Sequence, residues 1–205
     1  PQSSHESPTS KLGTKDGLRN EATEIDVDQV SGRVTARGNI NMTALPGSFA
    51  GLLLSTPRLY YQDFDQTPGA GWRFLADKKR FTEAAKLIES YLAKRPNLQK
   101  SDCANLHFHA AQCLAFDDTR TSINAALAHL GQARLNPEPP SSPVRWNDYV
   151  TATEAFLKND LKALKAARER IAQGPAMDGE IPNLSVVDRL IAKFGRPYSE
   201  AYGSE

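Results

Sequence analysis

The sequence has no long hydrophobic run, no excess charge of either sign and almost no cysteine, and each shortage removes a class of function. Its longest apolar stretch, Phe49 to Leu54, is far short of the roughly 20 residues that span a bilayer. A soluble protein without a transmembrane segment is therefore expected. The 25 basic and 24 acidic residues leave a formal charge of +1. That balance provides no broad field to attract a phosphate backbone or an anionic membrane, so nucleic acid is not an expected partner. The chain opens at Pro1 with neither the basic nor the apolar region of an export signal. This leaves the compartment open: cytoplasmic, or exported after removal of a signal.

The two cysteines, Cys103 and Cys113, fall on one expected helix over Ser101 to Phe116, where ten residues at 1.5 Å each set them roughly 15 Å apart. A disulfide needs Cα atoms within about 7 Å, so the pair reads as two small buried hydrophobes. Also missing are a phosphate-cradling glycine loop, a nucleophile elbow, a dinucleotide fingerprint and a Ser, His and Asp arrangement. No catalytic residue and no cofactor follow from motif.

What the sequence does have is a recurring stop. Three helix-length segments, Phe81 to Arg95, Ser122 to Asn136 and Asp160 to Gln173, end at Pro96, Pro137 and Gly174-Pro175, at roughly 40-residue spacing. Each is preceded by a second apolar-periodic stretch, which predicts helix pairs. Phe81, Ala84, Ala85, Ile88, Tyr91 and Leu92 fall at i, i+3, i+4, i+7, i+10 and i+11, and Trp146, Tyr149, Val150, Thr153, Phe156 and Leu157 repeat that spacing. Ile123, Leu127 and Leu130 continue it, as do Leu161, Leu164, Ala167 and Ile171, and Leu184, Val187, Ile191 and Phe194 mark a final helix. Ser142 before Pro143, Asp160, and Ser185 with Asp188 are the expected start signals.

The first 66 residues read differently. Residues 1 to about 23 are rich in Ser, Thr, Gly, Pro and charge and predict a flexible tail. Ile25, Val27 and Val30, then Val34, Ala36, Ile40 and Met42 around Ser31-Gly32, predict one short hairpin. Within it, Arg33 to Ile40 resembles a single rung of the OstA-like β-jellyroll proteins of lipopolysaccharide transport; no further rung follows, and no function is carried over. A short apolar helix is expected over Ser48 to Leu54, stopped at Pro57. The domains are thus an N-terminal extension over 1–66 and a helical repeat domain over 67–205.

Phe81, Ala84, Ile88, Leu92 and Pro96 resemble the second half of a tetratricopeptide repeat, in which an aromatic, a small residue, a large apolar residue and a terminal proline recur at those spacings. The resemblance extends over roughly 72–194. Tyr91 stands where that family prefers alanine, and the second and third units exceed its 34 residues. It implies an all-α stack of about three antiparallel helix pairs with a terminal capping helix, whose concave face holds a peptide or partner protein.

Several residues could carry more. Cys103 with His107 and His109 with Cys113 are i, i+4 pairs of the kind zinc uses, yet at 100° per residue the two pairs diverge, so packing is the commoner meaning and no metal site is expected. Asp63 with Asp65 and Asp117 with Asp118 are loop carboxylate pairs, more often solvated or capping than catalytic. Lys158, Lys162, Lys165 and Glu169 form a solvated face. Trp72, Phe108, Trp146 and Tyr149 sit at core spacing, whereas Tyr60, Tyr61 and Phe64 must either cover the stack or offer a contact surface. The expected function is a non-catalytic interaction or scaffold module. Asn105, His109, Gln112, Arg145, Asn147 and Lys158, which lie off the apolar stripes of first helices or near their ends, are the expected partner contacts. The alternatives are an enzyme or metal-dependent protein built on Cys103, His107, His109 and Cys113, and an assembly subunit whose N-terminal arm carries the binding.

Overall fold

From residue 59 onward the apolar stripes fold as helices. The structure, a computed structural model, describes residues 10–13, 18–22, 24–28, 33–37, 41–44, 59–139, 142 and 144–203. The chain forms two units, residues 1–58 and residues 59–205. The first carries β1 (Ser10–Gly13), β2 (Leu18–Ala22), β3 (Glu24–Asp28), β4 (Arg33–Arg37) and β5 (Asn41–Ala44). β2 pairs antiparallel with both β1 and β5, and β3 pairs antiparallel with β4, Asp26 opposite Thr35. β1 and β2 lie where composition predicts a flexible tail; neither carries the apolar alternation by which a strand is read. The apolar helix expected over Ser48 to Leu54 lies outside the described residues.

The second unit is helical: α1 (Arg73–Ala76), α2 (Phe81–Ala93), α3 (Lys100–Phe116), α4 (Arg120–Gln132), α5 (Trp146–Leu157), α6 (Leu161–Ala172), α7 (Leu184–Ala192) and α8 (Tyr198–Tyr202), preceded by a π-helical turn over Gln62–Gln66. Each helix packs on the next in the chain. Contacts of α5 with α7 and of α3 with α8 break that linear order. No helix among the described residues is long and apolar enough to cross a membrane.

The repeat visible in the sequence has a backbone counterpart. Lys79, Asp118 and Asn159 take the left-handed conformation, each between the two helices of a pair and 39 and 41 residues apart. This ends a helix by letting the next amide reach back over the last turn. Arg80 N bonds Leu75 O and Asp160 N bonds Ala155 O. The following residue then starts the partner helix: the Thr119 hydroxyl accepts from Ser122 N, and the Asp160 carboxylate, as expected, from Ala163 N.

The core follows the stripes. Ala84, Ile88, Tyr91, Val150, Leu164, Ala167, Ile171 and Val187 are at most 1% exposed, and a side chain such as Leu164 contributes about 1.5–3 kcal/mol by leaving water. Three boundary signals fail. Pro143 lies outside the described residues, and α5 begins at Trp146, where Glu138 reaches the helix start, accepting from Trp146 N (2.6 Å) and Asn147 N (3.2 Å). α4 stops at Gln132 rather than Asn136, because Trp146 and Asn147 bind the carbonyls of Ala133 and Leu135 and Asn147 Oδ1 accepts from Leu135 N. Ser185 lies inside α7, which begins after a left-handed Asn183, and Asp188 pairs with Arg168.

Candidate functional site

The segment before α1 belongs to the helical unit rather than to the extension, since the units divide at residue 58 and not at 66. Phe64 is fully buried and lies parallel to the Tyr91 ring, with centroids 3.8 Å apart. The Leu59 carbonyl accepts from Tyr91 Oη and Arg95 Nη2. Gly71 allows the return. At φ +51° a side chain is strained, and a Cβ there would stand 2.0 Å from Phe64 O. Only glycine lets the two backbone stretches lie this close.

This closure places Asp65, 0% exposed, at the centre of a polar network. Its Oδ1 accepts from Trp72 Nε1 at 2.8 Å and from His109 Nδ1 at 2.7 Å; its Oδ2 accepts from Tyr61 Oη at 3.0 Å and from Gln66 Nε2. Arg73 Nε bonds the Asp65 carbonyl, with the guanidinium 4.4 Å from the Trp72 ring centre. Asn105 donates to Tyr61 Oη at 3.2 Å. Burial pushes the Asp65 carboxyl up, but the hydrogen bond and charge of His109, with the hydrogen bonds of Trp72 and Tyr61, outweigh it and hold its pKa below the usual carboxylate range. Burial pushes the Tyr61 phenol up to about 12.

Above this network lies a cleft of about 380 Å³, walled by Trp72, Phe81, Phe116 and Tyr202 and edged by Arg73 and His109. Phe81 and Phe116 stack at 5.1 Å, and Tyr202 meets Phe116 edge-on at 5.7 Å. The His109 side chain is 19% exposed, and its Nε2 has no hydrogen bond among the described residues. The Cys113 thiol on the same wall is pushed up to about 12 by burial and stays protonated.

The six expected contact residues part into two groups. Asn105, His109 and Gln112 share one face of α3 and meet Tyr61, Asp65 and Tyr198. The other three lie away from the cleft: Asn147 fastens the loop after α4, Lys158 pairs with Glu154, and the exposed Arg145 edges a separate hollow beside Glu138 and Pro175. His107 and His109 point apart. His107 Nδ1 lies 2.9 Å from His129 Nδ1, and His129 Nε2 is 3.1 Å from Glu89. Because a carboxylate only accepts, His129 donates from Nε2 to Glu89, and a single proton bridges the two Nδ1 atoms. Among the described residues no three His, Cys, Asp or Glu side chains converge as a metal site would require, and both cysteines are free thiols.

The sequence places Asp65 with Asp63 in a solvated or capping loop pair and Trp72 at core spacing, whereas Asp65 is buried and bonded to Trp72; Arg73 carries no signal in the sequence. The aromatic density from Tyr60 to Trp72 is the signal that sets Asp65 apart from a solvated loop carboxylate. No protein-family model, curated protein or solved structure matches the chain.

Proposed function

We propose that the protein is a non-catalytic interaction module, a tetratricopeptide-like stack that receives a segment of a partner protein in the cleft beside α3. The stack reading is supported by the left-handed residues at 39- and 41-residue spacing and by the sequential packing of the helices. The observation that carries the function is the cleft itself, whose aromatic walls stand on preformed helices and whose polar edge is fixed from below by the buried Asp65. Side chains ordered on folding add little further entropy cost on binding, so a docking segment keeps most of its contact energy.

A second reading, catalysis, has one point in its favour. A buried carboxylate that orients an imidazole is the arrangement a general base needs. The thiol on the same wall, Cys113, is held protonated by burial and does not serve as its nucleophile.

The test is Ala76→Arg, which fills the cleft from α1. Saturable capture of a partner from native extract by the unaltered chain should be lost in Ala76→Arg and retained by Lys162→Glu, on the exposed face of α6. Capture that survives Ala76→Arg, or that vanishes when residues 1–58 are removed, would move the binding elsewhere.

A further inference from the structure

We infer that the group the cleft receives is a partner tyrosine, an aromatic ring carrying a hydroxyl that can both donate and accept. The inference rests on the interaction function proposed above and names the chemistry of its ligand.

The walls select the ring. Trp72, Phe81, Phe116 and Tyr202 surround the space, and aromatic faces and edges pair best with another aromatic ring. The polar edge selects the hydroxyl. Asp65 Oδ1 already accepts from the Trp72 indole, and a carboxylate has no proton to give, so the hydrogen shared with His109 sits on the histidine's Nδ1. Nε2 of this ring, on a side chain that lines the cleft, has no hydrogen bond among the described residues, and a hydroxyl, which can both donate and accept, meets it whichever way the proton stands. Beside it stands the Arg73 guanidinium, anchored through Nε and carrying further N–H donors that need an acceptor. A phenol oxygen satisfies both. A carboxylate would suit Arg73 but would face the Asp77 carboxylate on the same rim.

The molecule contains its own precedent one turn along α3. Tyr198 of α8 is 1% exposed against α3; its ring meets Phe116 and Phe156 edge-on at 5.5 and 5.9 Å, and its phenol oxygen accepts from Gln112 Nε2 at 3.4 Å. Gln112 and His109 lie three residues apart on one helix face, so α3 presents two successive polar stations beside Phe116. The chain's own tyrosine fills the first. The second is the open cleft, bounded by Tyr202, one turn beyond Tyr198.

The test uses the full chain and three capped pentapeptides, acetyl-Gly-Gly-X-Gly-Gly-amide with X as Tyr, Phe or Glu, followed by NMR at the Trp72 indole and the His109 ring. The tyrosine peptide should shift both signals and bind about tenfold more tightly than the phenylalanine peptide, because the latter leaves the desolvated polar groups of His109 and Arg73 unpaired. Asp65→Leu, which removes the acceptor that holds the His109 ring, should erase that preference. If the variant does not fold, the tyrosine-to-phenylalanine ratio on the unaltered chain decides the matter. Equal affinities for Tyr and Phe, or tightest binding by Glu, overturn the inference while leaving the cleft a binding site. If no peptide moves the Trp72 indole, the cleft is not a docking site and the proposed function falls with the inference.

Discussion

Replacing Phe64 by alanine tests whether the segment before α1 is part of the helical core. Phe64 is fully buried, stacks on a fully buried Tyr91, and is adjacent in sequence to the carboxylate that organises the site. Its removal leaves a cavity between the π-helical turn and α2, and buried Phe→Ala changes cost about 3–5 kcal/mol. For a domain of this size each kcal/mol lowers Tm by about 2–4 °C, so the expected fall is roughly 6–20 °C. Calorimetry on the full chain reads it directly. Tyr60→Ala is the control, because Tyr60 is 77% exposed and surface changes usually stay within about 0.5 kcal/mol. The site should suffer first: with Phe64 gone, the Trp72 indole should lose its hydrogen-exchange protection before α5 and α6 do. Should Phe64→Ala melt within about 2 °C of the unaltered chain, residues 59–66 are not held as described and the account of Asp65 falls.

Gly71→Ala should be more damaging than its size suggests, since the new Cβ meets backbone rather than a flexible side chain; a loss of Tm comparable with Phe64→Ala is expected, and an unchanged Tm would contradict the close approach. Acid should act in two steps. Burial and the charge of His129 depress the His107 pKa, so the folded state disfavours its protonated form; stability measured by denaturant should fall as pH drops below about 6.5 toward the folded value, and His107→Gln should flatten that step. The depressed Asp65 pKa gives a second loss, as pH falls from about 3.9 through its folded value, and a flat profile between pH 7 and 5 would refute the first step.

The helices of the second unit were legible because their information is local. Ala84, Ile88 and Tyr91, or Leu164, Ala167 and Ile171, declare their shared face through spacing alone, and burial follows. Boundaries were less legible where a distant side chain decides them. The start of α5 is capped by Glu138, eight residues upstream of Trp146, and a local reading of Ser142-Pro143 has no access to that bond. Asp65 was the least legible. It lies in a turn without apolar period, and its decisive partner, His109, is 44 residues away, so its burial is a property of the fold and not of its neighbours in sequence. His109 was singled out for a different reason, its place off the apolar stripe of α3, and the structure joins the two.

The contact of α8 with α3 has a consequence for how the chain responds to stress and to change in length. In an open array each unit touches only its neighbours, so ends fray independently and units can be inserted at modest cost. Here Tyr198 seats its ring against Phe116 and its hydroxyl against Gln112, 86 residues earlier in the chain. That clasp joins the last helix to the second pair, so everything between them must let go together. Adding a helix pair between α4 and α5 would carry Tyr198 out of its seat, which fixes the number of pairs as firmly as a rivet fixes the length of a belt.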